Sequence, residues 1–168
     1  MIYNFNADAI FEMAEQIERN GAKFYHTAAR RVLSPSIKEM LMRLAGMEEE
    51  HEKTFADFRK ELAKPERSPA FSQLDTDVQK YLNALSDTRI FPKDKKPDLK
   101  ITGDHTEADI LEEIYRSAIR AEKDSIVFYA GLRELVPVTF GKSKIDSIIK
   151  EEMQHITTLS IELASLQT

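Results

Sequence analysis

Residues 48–51 of this chain read Glu-Glu-Glu-His, and residues 152–155 read Glu-Met-Gln-His. Each stretch places a histidine three residues after a glutamate, so on a helix the two side chains project from one face about one turn apart. The neighbours on these faces are apolar: Leu41, Leu44, Ala45 and Phe55 around the first, and Ile145, Ile148, Ile149, Ile156 and Leu159 around the second. Burying a carboxylate and an imidazole there costs on the order of several kcal/mol unless they are paired or bind a metal.

Hydrophobic spacing predicts one helix before the first stretch and one that contains it. The first covers residues 7–33, with Asn6 as its cap and an apolar stripe that includes Glu18. Ser34-Pro35 is typical of a new helix start, and this second helix runs to about Lys64. The short connection between them predicts antiparallel neighbours.

A second helix pair follows at residues 106–167. Thr106 with Asp109 is a helix-start signature for a third helix that ends near Leu135 and has Glu122 in its apolar stripe. After Pro137, a fourth helix begins at about Thr139 or Ser143 and ends near Leu166. Residues 65–105 are rich in proline and polar residues, with a short helix predicted at 75–85; a connection of this length suits a crossover to the other end of a bundle.

The two helix pairs repeat one another. A shift of 104 residues aligns Glu18 with Glu122 (122 − 18 = 104) and the first Glu-x-x-His with the second. It also aligns Phe24-Tyr25 with Phe128-Tyr129. The sequence therefore predicts an all-α, single-domain four-helix bundle in which two related helix pairs bring six groups together. These six candidate ligands are Glu18, Glu48, His51, Glu122, Glu152 and His155.

One Glu from each of two helices and one Glu-x-x-His from each of the other two form the donor set of a dinuclear carboxylate site. Mixed oxygen and imidazole donors suit iron or manganese, whereas structural zinc sites commonly include thiolates. Two divalent ions would balance four carboxylates, which lowers the cost of burying them. We expect Glu48 and Glu152 to bridge the metals, Glu18 and Glu122 to be terminal, and one histidine to bind each metal.

This pattern resembles the rubrerythrin branch of the ferritin-like di-iron family, over both helix pairs and all six candidate ligands. The resemblance implies a ferritin-like bundle with two iron ions, which manganese or zinc could replace, and a reaction with hydrogen peroxide or dioxygen in oxidant defence or iron oxidation. It also implies a homodimer. By position in the motif, the six residues inherit the ligand roles.

Two departures from the family pattern bear on activity. The chain has no Cys, so it cannot form the rubredoxin site that relays electrons in full-length rubrerythrins. Reducing equivalents must then come from a separate electron-donor protein. Rubrerythrins also usually carry a second Glu one turn after the third-helix ligand, and here that position is Ser125. Simpler ferroxidase-like chemistry therefore gains weight over peroxidase activity.

The composition and net charge of the chain limit the kinds of binding partner that we expect. The chain has 168 residues, 42% hydrophobic and 32% charged, and a net charge of −5 without a basic block. Neither nucleic acid nor an anionic membrane is therefore an expected partner. No signal-like segment and no run of about 18 apolar residues is present. We expect a cytoplasmic protein.

Blander interpretations remain beside these. Tyr25 and Tyr129 each follow a candidate ligand by seven residues, so they either hydrogen-bond ligand carboxylates or serve only as core aromatics. Glu15 and Glu52 border the site and are expected to be solvated. Surface roles are expected for His26, His105 and the run 93–96. The function is then a di-iron oxidoreductase, a non-catalytic iron-buffering bundle, or a structural adaptor in which six buried polar groups go unexplained.

Overall fold

Four helices make up most of the chain that the structure describes. The structure is a computed structural model, and it describes residues 7–62, 106–136 and 141–167 together with Asp77, Lys80 and Tyr81. The helices are α1 (Ala7–Ala29), α2 (Pro35–Leu62), α3 (Glu107–Leu135) and α4 (Lys142–Ser165). No helix among the described residues is long and apolar enough to cross a membrane.

The helix starts follow local signals in the sequence. Before α3, the Thr106 hydroxyl accepts a hydrogen bond from the Asp109 amide at 3.2 Å, and the Asp109 carboxylate accepts one from the Thr106 amide at 2.8 Å. This capping box confirms the predicted start. α4 begins at Lys142, between the two predicted starts. Gly141 precedes it with φ +123°, where a Cβ would collide with the Phe58 ring, so only glycine fits there.

α1 ends earlier than predicted. The sequence indicated a helix to about Leu33, but α1 stops at Ala29. The chain then tightens into a turn in which the Arg31 amide donates to the Ala28 carbonyl at 2.9 Å. Proline at 35 disfavours helical backbone at the residue before it, so the end of α1 and the start of α2 must be separated by non-helical residues.

The helices pack as two antiparallel pairs, α1 with α2 and α3 with α4. α1 and α4 run in one direction, whereas α2 and α3 run in the other. The end of α2 and the start of α3 consequently lie at opposite ends of the bundle, as the predicted crossover requires. The predicted short helix at 75–85 falls mostly outside the described residues; of its described members, Tyr81 donates a hydrogen bond from its hydroxyl to the Val127 carbonyl at 3.1 Å.

The core consists of two apolar clusters with a polar layer between them. The first cluster lies around the start of α1 and the end of α2 and includes Phe11, Phe55, Phe128 and Ile145. The second lies at the other end of the bundle and includes Tyr25, Leu41, Ile114 and Leu159. Each helix passes through both clusters, and its polar site residues fall between them. Apolar packing at both ends thus holds the polar layer away from water.

Candidate metal centre

The polar layer is made of buried acids and imidazoles from all four helices. α1 and α3 each contribute one glutamate, and α2 and α4 each contribute a glutamate and a histidine three residues apart, which points both inward. Each of these side chains belongs to a residue that is at most 3% exposed. We call this set the six-residue cluster: Glu18, Glu48, His51, Glu122, Glu152 and His155.

The six-residue cluster divides into two overlapping groups that could each hold a metal ion. The group around Glu18 and His51 and the group around Glu122 and His155 both include Glu48 and Glu152, and within each group the candidate ligand atoms lie within 4.8 Å of one another. We call these groups the Glu18–His51 position and the Glu122–His155 position. Two positions that share two carboxylates are the arrangement of a dinuclear centre.

The shared carboxylates reach both histidines. Glu152 places Oε1 3.1 Å from His51 Nδ1 and Oε2 2.9 Å from His155 Nδ1. Glu48 does the same in the opposite sense, with Oε2 3.7 Å from His51 Nδ1 and Oε1 3.2 Å from His155 Nδ1. Each shared carboxylate therefore turns one oxygen toward each position, which is the orientation that bridging two metals requires.

The unshared glutamates are held by tyrosines from the opposite helix pair. The Tyr25 hydroxyl on α1 donates a hydrogen bond to Glu122 on α3, and the Tyr129 hydroxyl on α3 donates one to Glu18 on α1. Both tyrosines are fully buried. The two hydrogen bonds are related by the repeat, and each fixes the orientation of one carboxylate from outside the cluster.

Burial and mutual charge shift the proton affinities within the cluster. Burial, together with the nearby charge of Glu48, raises the pKa values of Glu18 and Glu122 well above the usual range. Burial opposes ionisation of Glu48 and Glu152 as well, but close polar contacts with neighbouring groups, including the two histidines, outweigh it and lower their pKa values. When like charges are packed this closely, the pKa values of some carboxyl groups rise while those of others fall, as they do here.

The two histidines have high proton affinity for the converse reason. Burial works to lower the pKa of His155, yet contacts with the carboxyl groups of Glu122, Glu152 and Glu48 outweigh it and raise that pKa to about 12. The pKa of His51 is raised in the same way, with Glu152 and Glu18 as the main partners. Protons on Glu18, Glu122 and the two histidines would make the cluster electrically neutral. Two divalent cations in place of four protons would preserve that balance.

Unpaired polar atoms provide a direct test of whether a metal pair fits here. Among the described residues, all buried side-chain nitrogen and oxygen atoms without a hydrogen bond belong to the six-residue cluster, apart from one on Arg31 and one on Tyr115. Buried polar atoms are rarely left unpaired, and carboxylate oxygens with imidazole nitrogens are hard and intermediate metal donors. The cluster is therefore able to hold a dimetal centre.

A family comparison agrees with this geometry. A family model described as rubrerythrin matches residues 9–163, a span that contains every member of the six-residue cluster. The chain belongs to the rubrerythrin family. Neither the curated proteins nor the solved structures that were compared with it gave a significant match. The molecule is thus a rubrerythrin-family, ferritin-like four-helix bundle with a di-metal binding site.

Ser125 occupies the position where rubrerythrins usually have an additional Glu. It is buried, and its hydroxyl donates a hydrogen bond to the Ala121 carbonyl at 3.0 Å, so it offers the site no carboxylate. Its repeat partner is Gly21 (125 − 104 = 21), where an added Cβ would lie 3.4–3.5 Å from the Glu48 side chain. The two helices that supply single glutamates therefore both carry a small residue one turn later.

The other acidic and histidine residues of this rubrerythrin-family chain lie outside the cluster. Glu15 was expected to be solvated, but it is only 8% exposed, because Arg59 on α2 packs over it with Nη1 3.1 Å from Oε1. Glu52 is partly exposed and accepts a hydrogen bond from Arg19 at 2.8 Å. His26 is partly exposed and lies 2.8 Å from Glu49. His105 and the run 93–96 lie outside the described residues.

Sequence reasoning missed Glu151. Its Oε2 lies 2.9 Å from His51 Nε2, the ring nitrogen that faces away from the cluster. The two residues are one hundred positions apart, and Glu151 has no acidic partner in the repeat, so neither spacing nor symmetry marks it. Only the packing of α2 against α4 reveals the contact.

Proposed function

We propose that this chain is a non-haem di-iron oxidoreductase that reacts with hydrogen peroxide or dioxygen, either by reducing peroxide or by oxidising ferrous iron, in oxidant defence or iron handling. One observation carries the proposal. Glu48 and Glu152 each turn one oxygen toward each histidine, in a buried layer where both Glu152 oxygens and both histidine Nδ1 atoms lack a hydrogen bond. Membership of the rubrerythrin family supports iron as the metal.

The donor set favours a redox metal over zinc. Each position offers carboxylate oxygens and a single imidazole nitrogen, and the chain has no Cys. Such donors suit iron and manganese, whereas structural zinc prefers four ligands in a closed tetrahedron. Zinc has no accessible redox change, so it and manganese are expected as substitutes in binding rather than in the reaction.

The residues of this chain would divide the work as follows. Glu48 and Glu152 would span the two positions, while Glu18 with His51 and Glu122 with His155 would complete one position each. Bound as a ferrous pair, the two iron ions would supply two electrons to an oxidant. The hydrogen bonds from Tyr25 and Tyr129 hold the unshared carboxylates in place, so the site is preorganised before the oxidant arrives.

The surroundings also bear on the choice of reaction. The apolar clusters on both sides of the polar layer keep bulk water out and limit side reactions. Ser125 removes the additional carboxylate, which supports ferroxidase-like chemistry over a peroxidase cycle that needs that group to exchange with a histidine. A separate protein would return electrons, because the chain carries no cysteine-bound iron. We further propose that the chain works as a homodimer.

Rapid mixing tests this function. The full chain is loaded with two ferrous ions without oxygen and then mixed with hydrogen peroxide or, separately, with dioxygen, and iron oxidation is followed by absorbance. We expect fast oxidation by at least one oxidant and its loss in Glu152→Ala, with Glu49→Ala as the control because Glu49 lies on the exposed face of α2. If the wild type and Glu152→Ala oxidise iron equally slowly, the enzyme assignment is wrong.

The alternative is an iron-buffering bundle. The buried, charge-balanced cluster supports binding whether or not turnover follows. This alternative gains support if the wild type binds two ferrous ions tightly but both oxidants react no faster than with free iron. Failure to bind any metal pair would leave only a structural role.

A further inference from the structure

The two metal positions have equivalent donors but differ on the far side of their histidines. His51 Nε2 lies 2.9 Å from Glu151 Oε2. His155 Nε2 is buried, and no described residue forms a hydrogen bond with it. Both rings turn Nδ1 toward the six-residue cluster, so the difference is confined to the outer ring nitrogen.

The sequence contains the same difference. The repeat pairs Glu151 with Met47 (151 − 104 = 47). A thioether is a weak hydrogen-bond acceptor and carries no charge, so Met47 cannot do for His155 what Glu151 does for His51. The donors have thus been kept identical in the two halves, whereas this outer contact exists in only one of them.

The outer contact matters because of imidazole chemistry. A histidine that binds a cation through Nδ1 must be neutral with its proton on Nε2. A carboxylate that accepts a hydrogen bond from Nε2–H fixes this tautomer, holds the ring plane and makes Nδ1 a stronger donor. Glu151 is placed to supply all three effects at His51, and no described residue is placed to supply them at His155.

We propose that Glu151 is a positioning residue that makes the two metal positions unequal, so that the Glu18–His51 position binds the first metal ion. This inference rests on the proposed function to the extent that it takes the cluster to bind two metals. Removing such an outer partner typically costs about 10–100-fold in metal affinity. The Glu151 side chain is 42% exposed, so its replacement does not disturb the core.

Stepwise metal binding tests the proposal. The metal-free full chain is titrated with Mn²⁺, and electron paramagnetic resonance distinguishes single ions from coupled pairs, which gives the two stepwise binding constants. In Glu151→Met, the association constant of the tighter step should fall about 10–100-fold, with little change in the association constant of the weaker step. In Met47→Glu, the weaker constant should rise. The double variant, Met47→Glu with Glu151→Met, should restore a wide separation between the two constants.

Glu50→Met is the matched control, since Glu50 is 70% exposed on α2 and pairs with Lys53 on the same helix. Circular dichroism verifies that each variant is folded. The proposal is overturned if Glu151→Met leaves both constants unchanged, or lowers both equally, while the wild type still binds a coupled manganese pair. Absence of any coupled pair in the wild type would overturn the proposed function together with this inference.

Discussion

The half formed by α1 and α2 and the half formed by α3 and α4 carry the same donors but different surroundings. Each half presents a single glutamate, a Glu-x-x-His pair and a tyrosine that reaches across to the other half. Outside these groups the halves diverge. Arg59 and Arg19 on the first half pair with Glu15 and Glu52, whereas the equivalents of those two glutamates in the second half are isoleucines.

The comparison shows which contacts a dinuclear site constrains. Two metals that shared Glu48 and Glu152 would need matching donors from both halves, and the repeat persists at those positions. Contacts that only support the helices can change independently, because each is satisfied locally. Glu151 belongs to neither class of contact: it contacts the candidate ligand His51, but the first half of the repeat has no equivalent carboxylate.

The largest expected effect comes from the shared carboxylates. Glu48→Ala and Glu152→Ala should each abolish dinuclear metal binding, because each variant loses two carboxylate oxygens, one at each metal position. Glu49→Ala should bind two metals as the wild type does, since Glu49 is half exposed and contacts His26. Metal content after reconstitution, measured by mass spectrometry of the native protein, checks this. Equal loss in all three variants would show that the helix register is wrong.

Next in size is the response to pH, in which both halves should act together. The pKa of His155 is raised from 6.5 to about 12 in the folded protein, and that of His51 is raised too, so between these pH values the folded state binds protons that the unfolded state has lost. Without metal, thermal stability should therefore fall as the pH rises above 6.5. Metal affinity should rise over the same range, because the metals compete with those protons.

Thermal unfolding with a chelator and with excess Mn²⁺, each from pH 6.5 to 9, measures both trends. The Glu18 and Glu122 pKa values, which are also raised, work in the same direction at lower pH. A metal-free stability that increases with pH through this window would contradict the assigned charge states.

The tyrosines give a smaller effect that the two halves should share equally. Tyr25→Phe and Tyr129→Phe each free one unshared carboxylate, so each should weaken metal binding by about tenfold or more. Tyr115→Phe is the control, because Tyr115 is equally buried but its hydroxyl makes no hydrogen bond to the described residues. Calorimetric titration with Mn²⁺ measures the affinities. Unequal fold-changes for Tyr25→Phe and Tyr129→Phe would show that the two crossed hydrogen bonds are not equivalent.

The smallest expected effect is on the free energy of unfolding, when an arginine is replaced in one half or in the other. Arg59→Met removes the hydrogen bonds that Arg59 donates to Asp8 and to the buried Glu15, which keeps a 3.8 Å ion pair with Arg19, and should cost about 1 kcal/mol of unfolding free energy. Arg133→Met, on α3 in the second half, removes a hydrogen bond to Asp146 in which both side chains are more than a third exposed, and should cost less. Denaturant unfolding compares the two. A larger loss for Arg133→Met would mean that the second half depends more on ion pairs.

Much of this molecule could be predicted from sequence because its signals are local and periodic. Glu-x-x-His on an apolar helix face needs only helical geometry to place both groups inward, and the 104-residue repeat then implies how the pairs meet. The capping box at Thr106 is similarly local.

Two of the features that were missed depend on contacts between helices. The burial of Glu15 depends on where Arg59 lies across α2, and the contact between Glu151 and His51 depends on how α4 is rotated against α2. The early end of α1 reflects competition between the helix and the turn that must precede Pro35. The contacts of Glu15 and Glu151 are not set by residues adjacent in the chain, whereas the end of α1 is a local effect that the helical pattern alone did not reveal.

The crossed hydrogen bonds, Tyr25 to Glu122 and Tyr129 to Glu18, mean that neither helix hairpin is chemically self-sufficient. The tyrosine hydroxyl of each hairpin donates its hydrogen bond to the unshared glutamate of the other hairpin. A peptide comprising α1 and α2 alone would own one glutamate, one Glu-x-x-His and one tyrosine, and two copies of it facing each other across a twofold axis would recreate the complete set. The crossed hydrogen bonds thus indicate that the whole centre could be designed as a homodimer of one helix hairpin of about half the chain length.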